Sequence, residues 1–266
     1  MSRNVQSLER GLTVVEALVK NGAMGVSALS VELGLDKTIV HRLLTTLRLM
    51  GYVSQDSNRK YAVGSKLRMM GAKVITGLNL RALALPHMEK LATHTHSVSH
   101  LAKMAEARAI YIERVQYPGL TINSTDVGGE APGYCSAAGK VMWAYLPQSE
   151  LNELLDKNNF RANTSYTITD RDTLQQHLAQ VRQQGYATDR EEHRLGLYGF
   201  GAPIRDHTGT VIASICVAEL SDQSTDEARL AQTRDMVIDA AKEVSAEMGY
   251  ADGEFEYSLT VEHREQ

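Results

Sequence analysis

Basic and hydroxyl side chains recur along one face of the segment LGLDKTIVHRLLTTLRLMGYV, residues 33–53. Lysine and arginine neutralise the phosphates of nucleic acids, and arginine and threonine also bind base edges in the major groove. No acidic residue interrupts this face, which holds Lys37, Thr38, His41, Arg42, Thr45 and Arg48. The pattern predicts a helix that reads double-stranded DNA. The alternative is an ordinary solvated helix face.

Two further basic residues, Arg59 and Lys60, lie at the tip of a predicted hairpin. Strand-like residues at 52–54 and 59–63 flank a turn at residues 56–58. We expect this hairpin to be a wing that contacts the DNA backbone or the minor groove beside the reading helix.

A glycine-rich stretch, VGGEAPGYCS, precedes the predicted helix AAGKVMWAYL. The unpaired N–H groups at such a helix start attract anions, and those of Ser136, Ala137 and Ala138 suit a carboxylate. The alternative is a tight loop-to-helix junction without a ligand. A phosphate-binding loop is excluded, because five residues rather than four separate Gly133 from Gly139.

Cysteine and histidine residues offer a second kind of chemistry. Cys135 lies near the start of the predicted helix, where a lowered pKa would make it a redox centre or a nucleophile; the alternative is a buried structural thiol. His94, His96 and His100 lie close together in HTHSVSH, but no cysteine or carboxylate accompanies them, so no metal site is predicted. His100 is a candidate hydrogen-bond donor that faces a pocket.

The charge of the chain is unevenly distributed. Residues 1–81 carry 12 Lys and Arg against 5 Asp and Glu, whereas the whole 266-residue chain has a net charge of -4. A basic N-terminal part on an acidic body indicates that only the first part meets a polyanion. The two cysteines provide no disulfide framework, and no apolar run approaches the roughly 20 residues that span a bilayer. We expect a cytoplasmic protein without cofactor or membrane partner.

Three short helices are predicted to position the basic face. Ser7 and Ser27 are predicted N-caps of the first two helices, Asn21-Gly22 and Gly34 end these helices, and Asp36 caps the third. The third helix is expected to bury the face that holds Val40, Leu43, Leu44, Leu47 and Met50. Followed by the hairpin, these helices predict a winged helix-turn-helix domain over residues 1–64.

The remainder is predicted as a connecting helix, an α+β domain and a tail. The connecting helix, residues 65–81, carries an apolar stripe, expected to pair with a second copy, at Leu67, Met70, Gly71, Val74 and Leu78. Gly77 and Pro86 are expected to bracket a hinge. Residues 82–250 are predicted to form an antiparallel sheet with flanking helices, the strands lying at 97–104, 109–115, 120–125, 196–204 and 210–219. Residues 251–266 form the tail.

The whole chain, from residue 5 to about 250, resembles the IclR family of transcriptional regulators. The resemblance rests on VQSLERGLTVVEAL, LSVELGLDKTIVHRLLTTLRLMGYV, YCSAAGKVMWAYLP, GYATDREEHRLGL and GAPIRDHTGTVIASICVA. It implies a winged helix-turn-helix domain, a GAF-like effector domain, and dimers that are often paired into tetramers on DNA. It also implies control of a nearby catabolic operon through a near-palindromic operator.

The resemblance also implies an effector site. In members that bind small keto acids, the matching positions in this chain are Ala137, Ala138, Asp189, Leu197, Gly199, Cys216 and Ala218. Cys216 and Ala218 stand where those members have serines, Gly199 where they have a cysteine, and Ala137 where they have a glycine. We therefore expect a larger, more apolar acid, either aromatic or derived from a sugar, that uses Asp189 and His100. The alternative function is a redox sensor or enzyme that uses Cys135, and a further one is a DNA binder without ligand response.

Overall fold

The computed structural model describes residues 5–77, 79–120, 125–221 and 226–251, without the side chains of 72–77. The chain divides into two compact units, of which the first ends at Leu78 and the second begins at Asn79. We call them the N-terminal and the C-terminal unit.

The N-terminal unit has the predicted order of three helices, a hairpin and a further helix. Its elements are α1 (Gln6–Asn21), α2 (Val26–Leu33), α3 (Lys37–Leu49), β1 (Val53–Gln55), β2 (Tyr61–Val63) and α4 (Ser65–Gly77). β1 and β2 pair antiparallel, and the backbone of Met24 pairs with Tyr61 beside them. The winged helix-turn-helix fold is confirmed.

One apolar core holds the three helices against the hairpin. Val14 and Leu18 of α1, Leu29 of α2, and Val40 and Leu44 of α3 are completely or almost completely buried. Each such side chain contributes about 1.5–3 kcal/mol when it leaves water. The prediction for Met50 was wrong: the residue is 51% exposed, because α3 ends at Leu49 and Met50 is only its C-cap.

The predicted helix stops are confirmed, whereas two predicted caps are wrong. Gly22 and Gly34 follow α1 and α2 with positive φ, and Gly34 is in the left-handed region that glycine adopts at no steric cost. Neither Ser7 nor Ser27 caps a helix, because α1 already begins at Gln6 and α2 at Val26. Asp36 caps α3 as predicted.

The C-terminal unit is an α+β domain, as predicted. Its elements are α5 (Leu80–Thr95), β3 (Val98–Ala105), β4 (Arg108–Gln116), β5 (Glu130–Pro132), α6 (Ala137–Ala144), α7 (Gln148–Lys157), α8 (Arg171–Gln184), β6 (Ala187–Arg190), β7 (Leu197–Arg205), β8 (Val211–Leu220) and α9 (Glu227–Glu247). The strands form one antiparallel sheet in the order β5-β4-β3-β8-β7-β6. None of the described helices combines the length and the apolarity needed to cross a membrane.

The two faces of the sheet carry different helices. Helices α5 and α9 pack on one face, where Glu219 of β8 contacts Arg229 of α9. Helix α6 packs on the other face, where Cys216 clusters with Ala138 and Met142, and α8 supports α6 from outside. The alternation of residues along β8 therefore separates an ion-pairing face from the face that meets the start of α6.

In the C-terminal unit one prediction is wrong, one strand was missed and one prediction stays open. Pro86 lies inside α5 rather than at a hinge; burial of Ala84, Met88 and Leu91 stabilises the helix around it. Strand β6 was not predicted, because its four residues ATDR lack an apolar alternation. The predicted strand at 120–125 falls mostly on residues 121–124, which lie outside the described residues.

Candidate DNA-reading helix and ligand cavity

The predicted DNA-reading residues share the outer face of α3. The side chains of Lys37, Thr38, His41 and Arg42 are exposed, whereas Val40 and Leu44 on the other face are fully buried. Thr45 is half-buried, and its hydroxyl donates a hydrogen bond to the carbonyl of His41 at 2.8 Å. A rigidly seated helix therefore presents a basic surface to solvent.

Short hydrogen bonds fix the turn that precedes α3. Asp36 Oδ1 accepts the backbone N–H of Thr38 at 2.7 Å, and this bond lowers the pKa of the Asp36 carboxyl. The Ser30 hydroxyl donates to the carbonyl of Leu35 at 2.6 Å. The ionised cap also suits the positive end of the helix dipole, so the angle between α2 and α3 is locally determined.

The wing carries its two basic residues on a defined turn. Asp56 Oδ1 accepts the backbone N–H groups of Asn58 at 2.9 Å and Lys60 at 2.8 Å, and Arg59 adopts a left-handed φ of 59°. Both basic side chains are exposed. Arg48 of α3 donates to Gln55 Oε1 of β1 at 3.0 Å, which ties the wing to the reading helix.

The base of the wing lies directly on the end of α3. A Cβ at Gly64 would lie 2.4 Å from the carbonyl oxygen of Gly51, so the position has no room for a side chain. Lys66 Nζ lies 4.8 Å from the centre of the Tyr52 ring. Helix and wing are therefore joined along their backbones as one surface.

A cavity of about 40 Å³ lies between the start of α6 and strands β6–β8. All eight residues predicted for the effector site line it: His100, Ala137, Ala138, Asp189, Leu197, Gly199, Cys216 and Ala218. Sequence reasoning missed Tyr111, Thr125, His193, Arg194, Tyr198 and Val217, which line it as well. Ser136, predicted only as a backbone donor, also lines the cavity.

The start of α6 leaves two N–H groups for a ligand. Ser136 caps the helix: its Oγ accepts the N–H of Gly139 at 3.2 Å and donates to the carbonyl of Pro132 at 2.8 Å. The structure gives the N–H groups of Ala137 and Ala138 no hydrogen-bond partner among the described residues. Both residues line the cavity, and the helix start gives their N–H groups a positive potential.

Two glycines of β7 allow the strand to lie against this helix start. A Cβ at Gly201 would lie 3.0 Å from the carbonyl carbon and oxygen of Ala137, and one at Gly199 3.7 Å from the Cβ of Ala137. The absence of a side chain at these two positions therefore lets β7 approach the first turn of α6.

Asp189 is the acidic group of the cavity, and burial controls its charge. Its Oδ1 accepts the backbone N–H groups of Glu192 at 2.8 Å and His193 at 3.2 Å. Burial nevertheless raises the pKa of Asp189 to about 7, against the opposing effect of Lys140. Near neutral pH the carboxyl is therefore partly protonated, and Oδ2 is the oxygen left to face a ligand.

The three histidines have separate roles. Burial lowers the pKa of His100 to about 4, and the single N–H of the neutral ring donates from Nε2 to the carbonyl of Thr125 at 3.0 Å. His94 contacts the carbonyl of Lys90, and His96 is the left-handed C-cap of α5. Within the described ranges no group of three potential ligands is placed to hold a metal ion.

Cys135 is a buried structural thiol. Asn163 Nδ2 donates to its Sγ at 3.1 Å, and burial raises the pKa of Cys135 to about 12. The lowered pKa that a redox centre or nucleophile needs is therefore absent, because desolvation outweighs the nearby helix dipole. The alternative function that relied on Cys135 loses its chemical basis.

A buried ion pair lies behind the cavity and was not predicted. Lys140 of α6 is fully buried and forms an ion pair with Glu192, which lies between β6 and β7. Thr167 Oγ1 donates to the carbonyl of Glu192 at 2.6 Å, and Thr164 Oγ1 to that of Glu191 at 2.7 Å. These bonds hold the segment 191–196, which we call the cavity loop. The polar residues of this segment indicate a loop in the sequence, but they do not indicate that Glu192 pairs with a buried lysine.

The size of the cavity differs from the expectation of a large acid. A volume of about 40 Å³ is far below the several hundred Å³ of pockets that hold drug-sized ligands. The cavity as described therefore favours an acid smaller than an aromatic one.

Comparisons with known proteins agree for both units. The IclR helix-turn-helix domain matches residues 7–57, and the C-terminal domain of the bacterial transcriptional regulator IclR matches residues 72–246. The chain is 32% identical over 248 residues to the HTH-type transcriptional regulator XynR of Escherichia coli, covering 92% of this chain and 98% of XynR. It is 33% identical over 249 residues to the acetate operon repressor of Salmonella typhimurium, covering 92% of this chain and 90% of that repressor.

A solved structure supports the same assignment. The Thermotoga maritima IclR superposes with a TM-score of 0.62 at 26% sequence identity, over 93% of this chain and 100% of that one. These relatives are transcriptional regulators rather than enzymes. Because the matched domains span both units, the chain belongs to the IclR family of DNA-binding transcriptional regulators.

Proposed function

We propose that this chain is an effector-responsive regulator of a catabolic operon that acts in the cytoplasm. It binds a near-palindromic operator through α3 and the wing, and a small organic acid in the cavity of the C-terminal unit. The observation that carries the proposal is the pair of free N–H groups at the start of α6, which line a cavity in a DNA-binding chain. One relative, by its name a repressor of the acetate operon, supports the catabolic assignment.

For DNA binding, the N-terminal half of α3 is assigned to the major groove. Lys37, Thr38, His41 and Arg42 are its exposed side chains, and the helix start lies closest to the bases in helix-turn-helix proteins. Arg59 and Lys60 are assigned to phosphates beside the groove, where a contact adds affinity but little sequence information.

The first prediction separates these two roles. Arg42→Ala should cost about 1–3 kcal/mol on the operator and relax preference at one position of each half-site, because a base contact is lost. Lys60→Ala should weaken binding to every sequence alike and lower the salt slope by about one, because one phosphate contact is lost. Fluorescence anisotropy on operator and scrambled duplexes at several salt concentrations measures both effects.

A control for net charge is available in the other unit. Lys103 is exposed on β3, so Lys103→Ala removes one positive charge from a residue that does not belong to the N-terminal unit. Unchanged affinity and base preference in Arg42→Ala would show that α3 does not lie in the groove as assigned.

A homodimer, and a dimer of dimers on DNA, are proposed as the working assembly. One winged unit offers few base contacts, and a near-palindrome calls for a two-fold symmetric protein. The connecting helix exposes Met69 and Met70, while Val74 and Leu78 of the predicted stripe lie outside the described side chains. An apolar stripe remains more than half exposed at Val5, which precedes α1, and at Leu8, Leu12 and Val19 of α1. An unpartnered stripe of this kind favours a contact with a second copy.

The second prediction concerns this contact. Light scattering of the full chain at micromolar concentration should give the mass of a dimer or tetramer, and Leu12→Glu should lower it, because a charge is placed in the α1 stripe. Val31→Glu is the control, since Val31 is exposed on α2 outside the stripe. A monomeric mass for the unaltered chain would refute the assembly.

For the effector, the backbone of α6 supplies the anion site. A carboxylate would accept the N–H groups of Ala137 and Ala138, and the small side chains there allow a close approach. Asp189 can donate from Oδ2 to the acid when protonated, or accept a ligand hydroxyl when ionised. The ligand is therefore a small acid that also bears a hydroxyl or a similar donor; glycolate and lactate are suitable probes.

The third prediction tests the cavity itself. Ala138→Trp should abolish lactate binding in calorimetry and any effect of lactate on DNA binding, because the indole fills the cavity, and should leave basal DNA affinity unchanged. Ala228→Trp is the control, since Ala228 is exposed at the start of α9. Undiminished lactate binding by Ala138→Trp would remove this cavity from consideration. If no acid alters the DNA affinity of the unaltered chain, a DNA binder without ligand response is the better description.

The fourth prediction follows from the raised pKa of Asp189. Below its pKa of about 7 the carboxyl is neutral and tolerates a ligand carboxylate, whereas above it the two anions repel each other. Lactate affinity should therefore fall by up to about tenfold per pH unit above pH 7. Asp189→Asn keeps an oxygen for the N–H groups of Glu192 and His193 but cannot ionise, so its affinity should stay nearly constant between pH 6 and 8. An equally steep fall in this variant would contradict the assignment.

A further inference from the structure

We infer that the hydroxyl of Tyr111 hydrogen-bonds to the hydroxyl of the effector and gives the cavity a preference for 2-hydroxy acids over acids that lack this oxygen. This inference rests on the proposed function of the cavity and assigns a specificity-determining residue outside the positions predicted from the sequence. It depends on three observations: the burial of Tyr111, the absence of a partner for its hydroxyl, and the fixed position of its ring.

Tyr111 carries a buried hydroxyl that the protein leaves free. The residue is 8% exposed and lines the cavity, and the structure gives its hydroxyl no hydrogen-bond partner among the described residues. A buried tyrosine hydroxyl normally finds a partner within the protein, because bulk water no longer supplies one. An unpaired hydroxyl on the wall of a cavity therefore points to a partner that enters with the ligand.

The other buried hydroxyl groups of the described cavity lining are already engaged. Ser136 Oγ is used in the cap of α6, and the side chain of Arg190 hydrogen-bonds to Tyr198. The N–H of the neutral His100 ring donates to a backbone carbonyl. Among these groups, the hydroxyl of Tyr111 is the one available to a ligand.

The ring of Tyr111 is held in place on the cavity wall. Its backbone N–H donates to the carbonyl of Gly129 at 3.0 Å, and the centre of its ring lies 4.7 Å from the centre of the His100 ring. Tyr111 also belongs to the apolar cluster that contains Ala138 and Cys216. Because packing fixes the ring, little side-chain entropy is lost when the hydroxyl meets a ligand.

The Tyr111 hydroxyl and Asp189 can serve the same ligand oxygen. Burial, with smaller effects of Cys216 and Asp189, raises the pKa of Tyr111 well above its usual value, so the phenol keeps its proton and can donate it. A ligand hydroxyl has one proton and two lone pairs, so it can accept from Tyr111 and donate to the ionised Asp189 at the same time. An acid without this hydroxyl leaves both buried groups unpaired, which costs affinity.

The experiment compares lactate with propionate, the same acid without the hydroxyl, by calorimetry on the full chain at pH 7. Tyr111→Phe should weaken lactate binding by about tenfold, because the ligand hydroxyl loses its donor. Propionate binding should stay within about twofold of the unaltered chain, since propionate makes no bond to the removed oxygen. Tyr145→Phe is the matched control and should keep the lactate preference, because the Tyr145 hydroxyl donates to the carbonyl of Arg182 and the residue lies outside the described cavity lining.

Urea unfolding of the same variant separates a ligand contact from a structural role. Removal of a hydroxyl without a partner breaks no hydrogen bond of the protein, so Tyr111→Phe without ligand should unfold at the same or a slightly higher urea concentration than the unaltered chain. The same lactate concentration should then stabilise the variant less, because stabilisation by a ligand follows its affinity. A lower urea midpoint without ligand would show that the hydroxyl is bonded within the protein, and the inference would be wrong.

The binding data distinguish this inference from the proposed function. If Tyr111→Phe keeps the full preference for lactate over propionate, the inference is wrong while the cavity stands. If the variant weakens both acids equally, Tyr111 only shapes the cavity and the inference is also wrong. If the unaltered chain binds neither acid, the proposed function fails, and the inference fails with it.

Discussion

The ligand cavity depends on one buried ion pair. Lys140 projects from the helix whose first residues line the cavity, and Glu192 belongs to the loop on the other side of it. Two charges removed from water are stabilised when they are paired. The backbone of Glu192 is held separately, because its carbonyl accepts a hydrogen bond from Thr167 Oγ1 and its N–H donates to Asp189 Oδ1. The pair thus joins two segments that are 52 residues apart in the chain.

Burial also determines which groups around the cavity carry charge. The same desolvation that keeps the imidazoles of His100 and His193 neutral raises the pKa of Asp189 to about 7. In the N-terminal unit the opposite condition holds, because the basic side chains of α3 and the wing are exposed. The C-terminal unit therefore offers charged groups in a weakly polar interior, which suits a small acid. The N-terminal unit offers charged groups in water, which suit a polyanion.

Much of this organisation could be predicted from the sequence because its signals are local. The spacing of Val40 and Leu44, the cap at Asp36 and the glycine after α2 all act within a few residues, and the structure follows them. Likewise, the family resemblance supplied cavity positions that the structure brings together. The missed features depend on long-range contacts: the partner of Lys140, the pKa of Cys135, the helical setting of Pro86 and the cavity position of Arg194. The spacing of apolar residues predicts which face of a helix is buried, but it does not encode how deeply a polar side chain is buried or which distant residue meets it.

The contact of β7 with the first turn of α6 limits how the cavity can change in evolution. A side chain at position 201 would press on the carbonyl of Ala137, so the first turn of α6, the helix that carries Lys140 to its ion pair with Glu192, would have to shift. The β8 wall is different, because Cys216 and Ala218 line the cavity and a substitution there changes the lining directly. New ligand preferences should therefore arise by substitutions on one strand, while position 201 remains glycine in descendants that keep this cavity.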